Sequence, residues 1–519
     1  MKIFTKSILA LVATVTIAGQ ALAGGPMTNT NQSAHFLRSV ARGTSLESDA
    51  VYTNPAGVAF MADGFHIGIS DQMAKQTRTI TSTYAPFVYN GGSDTKQYKG
   101  EVFSPLIPSV HFAWKHNRFA VMAGLGVNGG GGSLEFADGL GSFERQFSVL
   151  PAGMSQLSEL LGDKYKATGY DMDMYLMGKS MTLAFNVGAA FRITDWLSIA
   201  AQVRYSSTSN SYEGHMKNIS VNVGGQMTPA TTVFQGALVD LPAKQTEFST
   251  KFEQYSAMYN QLVAAGMGES AQAQELKAGL AQLEAVLAQL PNIETQVGTN
   301  AVLTKDHILN VKQKGHSISP IVALAFHKGP WDASIKYEFK MATELEITSA
   351  PESAQDPVIN AIFADGSTVK SETPALLAAA VSRNFGPVKV TAQWHHFFDK
   401  KAENSFSPVI LGNTNEYMMG VEWQISDKWL VSAGTQRTQL NMDEAAYSDM
   451  NFAISSWSVG LGLAYSISDA IRINAGLMPT IYDEAVATGK IATSGLDFKD
   501  VYNRTSMAWG IGLDFKFGK

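Results

Sequence analysis

From Gly64 to the end of the chain, apolar side chains return at every second residue in one run after another, a period that puts unlike residues on the two faces of a β-strand. Phe65, Ile67 and Ile69 alternate with His66, Gly68 and Ser70. Later runs come in pairs across short polar corners. Val110, Phe112 and Trp114 lead through Lys115-His116-Asn117-Arg118 into Phe119, Val121, Ala123 and Leu125. Leu183 to Phe191 lead through Thr194-Asp195 into Leu197 to Tyr205, and Val322, Leu324 and Phe326 turn at Lys328-Gly329-Pro330 into Ala333, Ile335 and Tyr337. Corners at Phe385-Gly386-Pro387, Ser426-Asp427-Lys428 and Ser468-Asp469 close three more hairpins, and the last run is Trp509, Ile511, Leu513, Phe515, Phe517. Gly and Asp are the residues such tight corners require. The first run, two strands at each of six corners and the last run make about fourteen strands, an even number within the range of closed outer-membrane barrels. Closure also leaves no unpaired edge.

A soluble β-sandwich would show the same alternation. Strands of roughly nine residues or more, and connections that alternate strictly between tight and long, favour the barrel. Around Val459 one face is Trp457, Val459, Leu461, Leu463 and Tyr465, and the other is Ser456, Ser458, Gly460 and Gly462. Trp114, Trp196, Trp331, Trp429 and Trp457 stand near strand ends, where an interfacial girdle belongs. Tight corners then face the periplasm and long connections the outside. The long connections run about 127–175, 214–305 and 347–369, with shorter ones near 400–413, 441–453 and 481–503.

One of these insertions is helical. Phe248, Phe252, Tyr255, Tyr259 and Leu262 keep a 4-3-4-3 spacing, as do Leu276, Leu280, Leu283, Leu287 and Leu290, with Gly266-Met267-Gly268 between. Each run stripes one helix face, so the pair reads as a helical hairpin. Leu157, Leu160 and Leu161 form a shorter apolar piece in the other long loop. These stripes either pack on each other or present a surface that captures hydrophobic ligand outside the cell.

At the N-terminus, Lys2 and Lys6 precede an apolar run from Ile8 to Ile17, and Ala21-Leu22-Ala23 is a small-x-small cleavage site. Residues 1–23 therefore read as a secretory signal peptide. Its removal takes away two lysines and changes the net charge from −6 to −6 − 2 = −8, which offers no electrostatic footprint for nucleic acid. An exported chain without cysteine has no disulfide framework and no thiol for a lipid anchor. After residue 23 no apolar stretch approaches the roughly 18 to 20 residues of a membrane helix.

No catalytic motif is present: there is no G-x-S-x-G elbow, no H-E-x-x-H and no Walker loop, so an enzyme is not expected. Asn128-Gly129-Gly130-Gly131-Gly132 lacks the Lys-Ser or Lys-Thr of a phosphate cradle and reads as a bulge at a strand end. His395 and His396 are adjacent on a strand and point to opposite faces, which argues against a metal centre, and no cofactor is expected. Arg192, Arg204, Lys336 and Arg472 face the lumen, where they pair with Glu338, Glu422 and Asp514 or hold an anionic head group; Arg204 and Arg472 are the candidates for the latter.

The stretch Asp49 to Phe60, preceded by Arg42-Gly43-Thr44-Ser45 and followed by an alternating strand, resembles the N-terminal hatch of the FadL-type outer-membrane transporters of long-chain fatty acids and other hydrophobic compounds. The layout is similar throughout: signal peptide, hatch, about fourteen strands, and helices in the loops after the third and fifth strands. The resemblance implies an all-β fold, a transmembrane β-barrel (64–519) with a hatch (24–63) in its lumen and helical insertions in its external loops. It also implies that Asn54, Pro55, Ala56 and Gly57 form the gate, against a kink in the third strand where ligand leaves sideways into the bilayer. That third strand is read as Phe119 to Val127 with a glycine-rich exit. Phe248, Phe252, Tyr255, Tyr259, Leu262, Leu157, Leu160 and Leu161 are the expected capture residues outside an apolar lumenal pocket. The expected protein is a monomer in the outer membrane of a Gram-negative bacterium, with membrane lipid and a hydrophobic small molecule as its partners. A porin-like channel for other solutes and a surface adhesion barrel are the competing readings.

Overall fold

In a computed structural model the chain is described over residues 30–405, 410–444, 447–450, 452–492 and 494–518. The signal peptide read at 1–23 and the first residues of the hatch lie outside the described residues. Two short helices, α1 (Ala34–Arg38) and α2 (Ala50–Thr53), and a 3-10 turn (Pro55–Phe60) precede the first strand. The wall then opens with β1 (Gly64–Tyr84), β2 (Thr95–His116) and β3 (Phe119–Phe136). Helices α3 (Gly141–Ser148) and α4 (Leu150–Leu161) follow, and the wall resumes with β4 (Ala167–Arg192) and β5 (Leu197–Val223). A helical hairpin, α5 (Ala230–Ala264) and α6 (Ala271–Leu303), separates β5 from β6 (His307–Lys328) and β7 (Trp331–Glu338). The remaining wall strands are β8 (Leu376–Phe385), β9 (Val388–Phe397), β10 (Thr414–Gln424) and β11 (Trp429–Gln439), then β12 (Ser456–Ser468), β13 (Ile471–Tyr482) and β14 (Asp497–Phe517).

Each wall strand pairs antiparallel with its neighbours, and β1 pairs with β14 from Phe65↔Phe517 to Tyr84↔Phe498, so the fourteen strands form a closed barrel. Short pieces at Glu344–Ser349, Thr368–Lys370 and Ala485–Lys490 continue the wall at the loop end. At 26 and 27 residues, β4 and β5 far exceed the ~9–11 residues that a tilted strand needs to cross hydrocarbon, so the wall rises well beyond such a layer.

Strand parity sorts the side chains. Phe65, Ile69, Phe185, Val187, Val203, Ile335, Val459 and Leu461 are exposed on the outside, an apolar band of the kind a wall facing hydrocarbon carries. Trp196, Trp331, Trp423 and Trp429 point outward beside the tight turns, with Trp114 half-covered by Phe65, and Trp457 and Tyr417 point outward toward the loop end. These are the two girdles.

The largest apolar cluster lies at the loop end rather than inside the wall. Leu150, Met154 and Leu157 of the third-strand loop pack there with Phe234, Leu241, Leu290 and Ile293 of the helical hairpin, and with Leu134, Phe136 and Tyr212 of the wall. The hairpin helices begin and end well outside the stripes read from sequence. Near the cluster they are covered by the other loops as well as by each other, so a single-faced pattern is no longer required of them.

Candidate functional site

Residues 30–63 occupy the lumen at the turn end, and the inward face of the wall is built of small residues to admit them. On one side stand glycines: a Cβ at Gly476 would lie 2.6 Å from the Arg38 nitrogen, and one at Gly460 would lie 2.7 Å from the Leu37 carbonyl. On the other side Ala113, Ala120, Ala190, Ala200, Ala323 and Ala325 pack against Ala50, Val51, Ala56, Val58 and Ala59. The segment is too short of regular structure to satisfy its own backbone, so the wall does it. Ser198 Oγ donates to the Ala56 carbonyl at 2.7 Å and Gln202 Nε2 to the Val51 carbonyl at 2.8 Å. Ser334 Oγ donates to Gly43 O at 2.6 Å, Lys336 Nζ to Tyr52 O at 2.9 Å, and Lys389 Nζ to Thr44 O at 3.0 Å.

Charges fix the segment further. Arg38 Nη1 and Arg42 Nη1 both donate to Glu422 Oε1 on β10, at 2.5 and 2.8 Å. Arg472 Nη1 on β13 donates to Glu47 Oε1 at 2.6 Å, and the His35 ring lies 2.8 Å from Asp514 Oδ2 on β14. Within the segment Arg42 Nε donates to Asp49 Oδ2 at 2.8 Å and Arg38 Nη2 to Glu47 Oε2 at 2.6 Å. Burial alone would depress the His35 imidazole, but Asp514, Asp49 and Glu47 outweigh it and raise its pKa above the ordinary 6.5. Burial likewise pushes the Asp49 carboxyl up, yet Arg42 beside it brings it down to about 2. His35, Glu47 and Asp49 are close enough to share an ion. Both carboxylates are engaged by guanidinium groups, so the cluster reads as an ion-pair lock rather than a metal centre.

Asn54 organises the turn. Its Nδ2 donates to Ser45 O at 3.0 Å and its Oδ1 accepts from Gly57 N at 3.2 Å. A Cβ at Gly57 would collide with the Asn54 amide at 2.1 Å, which accounts for the glycine. Pro55 at the start of the 3-10 turn supplies a φ already suited to it. The turn Pro55–Phe60 packs chiefly on β4, β5 and β6, and more lightly on β2 and β3. Hydrogen bonds from other parts of the segment also reach the third strand: Tyr52 Oη donates to Asn128 Oδ1 at 3.0 Å, and Gln32 Nε2 donates to Val127 O at 2.8 Å.

That third strand runs on to Phe136, past the Val127 boundary read from sequence, because its glycines are bulges inside the strand and not its end. Register slips against β4 occur between Val127 and Gly129 and between Gly130 and Gly132. On the other side the ladder with β2 breaks between Phe103 and Val110 and leaves 126–132 of β3 unpaired there. Two prolines, Pro105 and Pro108, fall within the broken stretch of β2, and neither can donate to a ladder. Asp71 Oδ1 accepts from Ile107 N at 3.0 Å in place of a ladder carbonyl. These prolines are the sequence signal for an interrupted wall that the glycine run alone left ambiguous.

A cavity of about 280 Å³ lies between the luminal segment and the loops. Ser104, Ile107, Gly129, Gly130 and Gly132 bring it to the break, and Phe36, Met73 and Ile454 line it elsewhere. Outside the break Phe103 and Leu106 are 55% and 63% exposed. The pocket expected to be apolar is mixed: Glu416, Gln436, Ser458, Thr480 and Ser506 line it beside the apolar residues, because the inward positions of β10 to β14 carry hydroxyl, amide and carboxylate side chains.

The remaining candidates are placed as follows. Arg204 Nε donates to Asn186 Oδ1 at 2.9 Å, its Nη1 pairs with Glu338, and its guanidinium lies 4.9 Å from the Tyr52 ring centre. Arg472 is held by Glu47. Both candidate head-group cations are thus committed to protein carboxylates, while Glu422 is held by Arg38 and Arg42 and Asp514 by His35, all of the luminal segment and not the wall cations expected. Leu157 is buried in the loop cluster, with Leu160, Leu161 and Phe248 half-buried against it. Phe252, Tyr259 and Leu262 are half-buried along α5, and Tyr255, 38% exposed, lies across from Gly279 of α6.

No protein-family model matches the chain, and no curated protein matches it. Among solved structures, a FadL homologue of Pseudomonas aeruginosa is similar over 94% of this chain and 98% of its own, with a TM-score of 0.56 and 12% identity. The Pseudomonas putida toluene transporter TodX is similar over 93% of this chain and 100% of its own, with a TM-score of 0.50 and 12% identity. A TodX mutant described as a monoaromatic hydrocarbon channel gives a TM-score of 0.51 at 13% identity, over 93% of this chain and 99% of its own. The chain shares their fold.

Proposed function

We infer that this chain is a FadL-type outer-membrane transporter that passes hydrophobic molecules without an energy source of its own, long-chain fatty acids first among them. One observation carries the reading. The cavity above the luminal segment meets the wall where β2 and β3 are unpaired, and the outer rim of that break is apolar. Ligand gathers on the loop helices, enters the cavity and leaves through the break into the bilayer. A hydrophobic solute on this route bypasses the polar outer leaflet and is never released into bulk water. Residues 30–63 are the hatch, and Asn54 to Gly57 hold its shape, so they set how the segment moves. The protein acts as a monomer, and its only standing partner is membrane lipid.

Two observations favour this reading over a porin or an adhesin. A polar-solute porin has no use for an apolar lateral exit, and a sealed adhesion barrel has no use for a break beside a cavity. The test is uptake of a radiolabelled long-chain fatty acid by cells expressing the full chain, compared with Asn54→Ala/Pro55→Ala at equal surface level. Uptake above an empty-vector control that falls in the double variant supports transport under hatch control. No uptake by the parent chain sinks the reading.

A further inference from the structure

On the outside of the wall, at the turn end, two cations flank one tryptophan. The register sets Lys328 of β6 and Arg383 of β8 on either side of Trp331 of β7, and all three are exposed on the outward face. Neighbouring strands stand ~4.8 Å apart, so the two cations are roughly 10 Å apart at the backbone and can close on one anion. The Arg383 guanidinium lies 5.0 Å from the Trp331 ring centre and 4.7 Å from that of Phe385. Its N–H groups stay unused: among the described residues neither Arg383 nor Lys328 has a side-chain hydrogen bond or an ion pair. The neighbouring carboxylates are already engaged. Asp332 is buried on the inward face with His327 and Lys389, and Asp195 of the turn between β4 and β5 pairs with Arg118. From this ledge toward the middle of the wall lies an apolar trough of about 570 Å³. Its floor is low because Ala189 of β4 pairs with Ala201 of β5, and the taller Phe191, Ile199, Leu324 and Tyr337 stand around it. Ala190, Ala200 and Ala323, whose side chains pack on the luminal segment, border it too, so one layer of chain separates the trough from that segment. Ile335 and Tyr337 at the trough are four and six residues from Trp331. At ~3.3 Å per residue that is roughly 13 to 20 Å, the reach of one acyl chain across half of a ~30 Å hydrocarbon core.

We propose that the ledge of Lys328, Trp331 and Arg383 and the trough beside it together hold one anionic phospholipid of the inner leaflet, its phosphate between the two cations and one acyl chain on Ala189 and Ala201. The inference rests on the outer-membrane placement read above, which turns this end of the barrel toward the periplasm and so into the phospholipid leaflet. Charge chooses the occupant. A tryptophan and one snorkelling cation at an interface serve any lipid, whereas two cations with no counter-ion select a head group of net negative charge. The seated chain backs the thin stretch of wall on which the turn Pro55–Phe60 packs from within.

The test mixes the purified full-length protein, in a non-ionic detergent, with equal amounts of phosphatidylglycerol and phosphatidylcholine of the same acyl chains and reads lipid adducts by native mass spectrometry. The parent protein is expected to carry one phosphatidylglycerol in preference to phosphatidylcholine by about tenfold, the scale of two cations meeting an anionic head group while keeping part of their hydration. Lys328→Gln with Arg383→Gln should remove the preference without altering migration on unheated gels, since both side chains stand on the exposed rim. Ala201→Trp should fill the trough and reduce adducts of both lipids several-fold. Equal binding of the two lipids by the parent, or a preference that survives the double variant, overturns the site and leaves the membrane placement and transport standing. A dimer in place of the lipid adduct, dissociated by Ala201→Trp, overturns it in favour of a second copy of the chain. A chain that carries neither lipid and stays in solution without detergent overturns the placement and the site together.

Discussion

The Arg42 guanidinium stands 2.8 Å from the Glu422 carboxylate, and the two residues are 380 positions apart in the chain. The same oxygen receives Arg38. One wall side chain therefore anchors both arginines of the luminal segment, and its side chain is only 13% exposed. Glu422→Gln takes one carboxylate from each of two buried cations that keep Glu47 and Asp49, so the loss should stay below the about 3–5 kcal/mol of a buried charge left with no partner. The barrel, held by its ladders, should still fold and migrate as a compact species on unheated gels. Amide exchange should speed up across residues 34–60, and single-channel conductance should rise. Unchanged protection of that segment would refute the anchoring role.

The lock should weaken on both sides of a pH window. His35 has a raised pKa, so its contribution is complete below the ordinary 6.5 and is lost as pH rises through the raised value. Asp49 is depressed to about 2 from 3.8, so its contribution is complete above 3.8 and is lost as pH falls toward 2. Charge counting agrees: Arg38, Arg42 and Arg472 face Glu47, Asp49, Glu422 and Asp514, and only a protonated His35 balances the fourth carboxylate. Protease protection of the segment should therefore be greatest between about pH 4 and 6.5 and fall above neutrality. His35→Gln should flatten the upper limb; a limb that persists in that variant would assign it to another group.

Restoring ladder donors should close the break. Pro105→Val with Pro108→Thr supplies two missing N–H groups where β2 and β3 part. The double variant is expected to melt at a higher temperature, by a few degrees for ~1 kcal/mol per recovered bond, and to take up ligand more slowly. Faster or equal uptake in a stabilised variant would place the exit elsewhere.

Truncating the helical hairpin should separate capture from assembly. Leu241 and Leu290 belong to the loop cluster, whereas Phe252, Tyr255 and Tyr259 lie beyond it. Replacing residues 246–287 by a short Gly-Ser turn keeps both cluster residues, so the barrel should assemble at normal yield. If the hairpin gathers ligand, the association rate falls several-fold; an unchanged rate would leave the stripes with only their mutual packing.

The wall was legible because a barrel strand must repeat its pattern with a period of two at every crossing, and the corners between Trp114 and Phe119 or Phe385 and Val388 allow few residue types. The luminal segment was legible only by position and resemblance, since it carries no period of its own. What docks it is spread around the whole wall as single glycines, alanines and serines, such as Gly476, Ala113 and Ser198, which look like ordinary inward residues until the segment lies against them. The polar lining of the cavity was hidden for a related reason: Gln436, Thr480 and Ser506 sit on separate strands, and only register brings them together. Pro105 and Pro108 were available to reading but sit outside the alternating runs that drew attention.

The seam between β1 and β14 joins the first strand of the wall to the last. The luminal segment precedes β1 and is tied to Glu422, Arg472 and Asp514, all in the final hundred residues. Its locking contacts cannot form until nearly the whole chain has been delivered, and they form against strands that close the ring. Filling the lumen and sealing it are thus two faces of one late step in biogenesis, and a chain stalled before β10 would present the two arginines of the strap without the wall carboxylate that receives them.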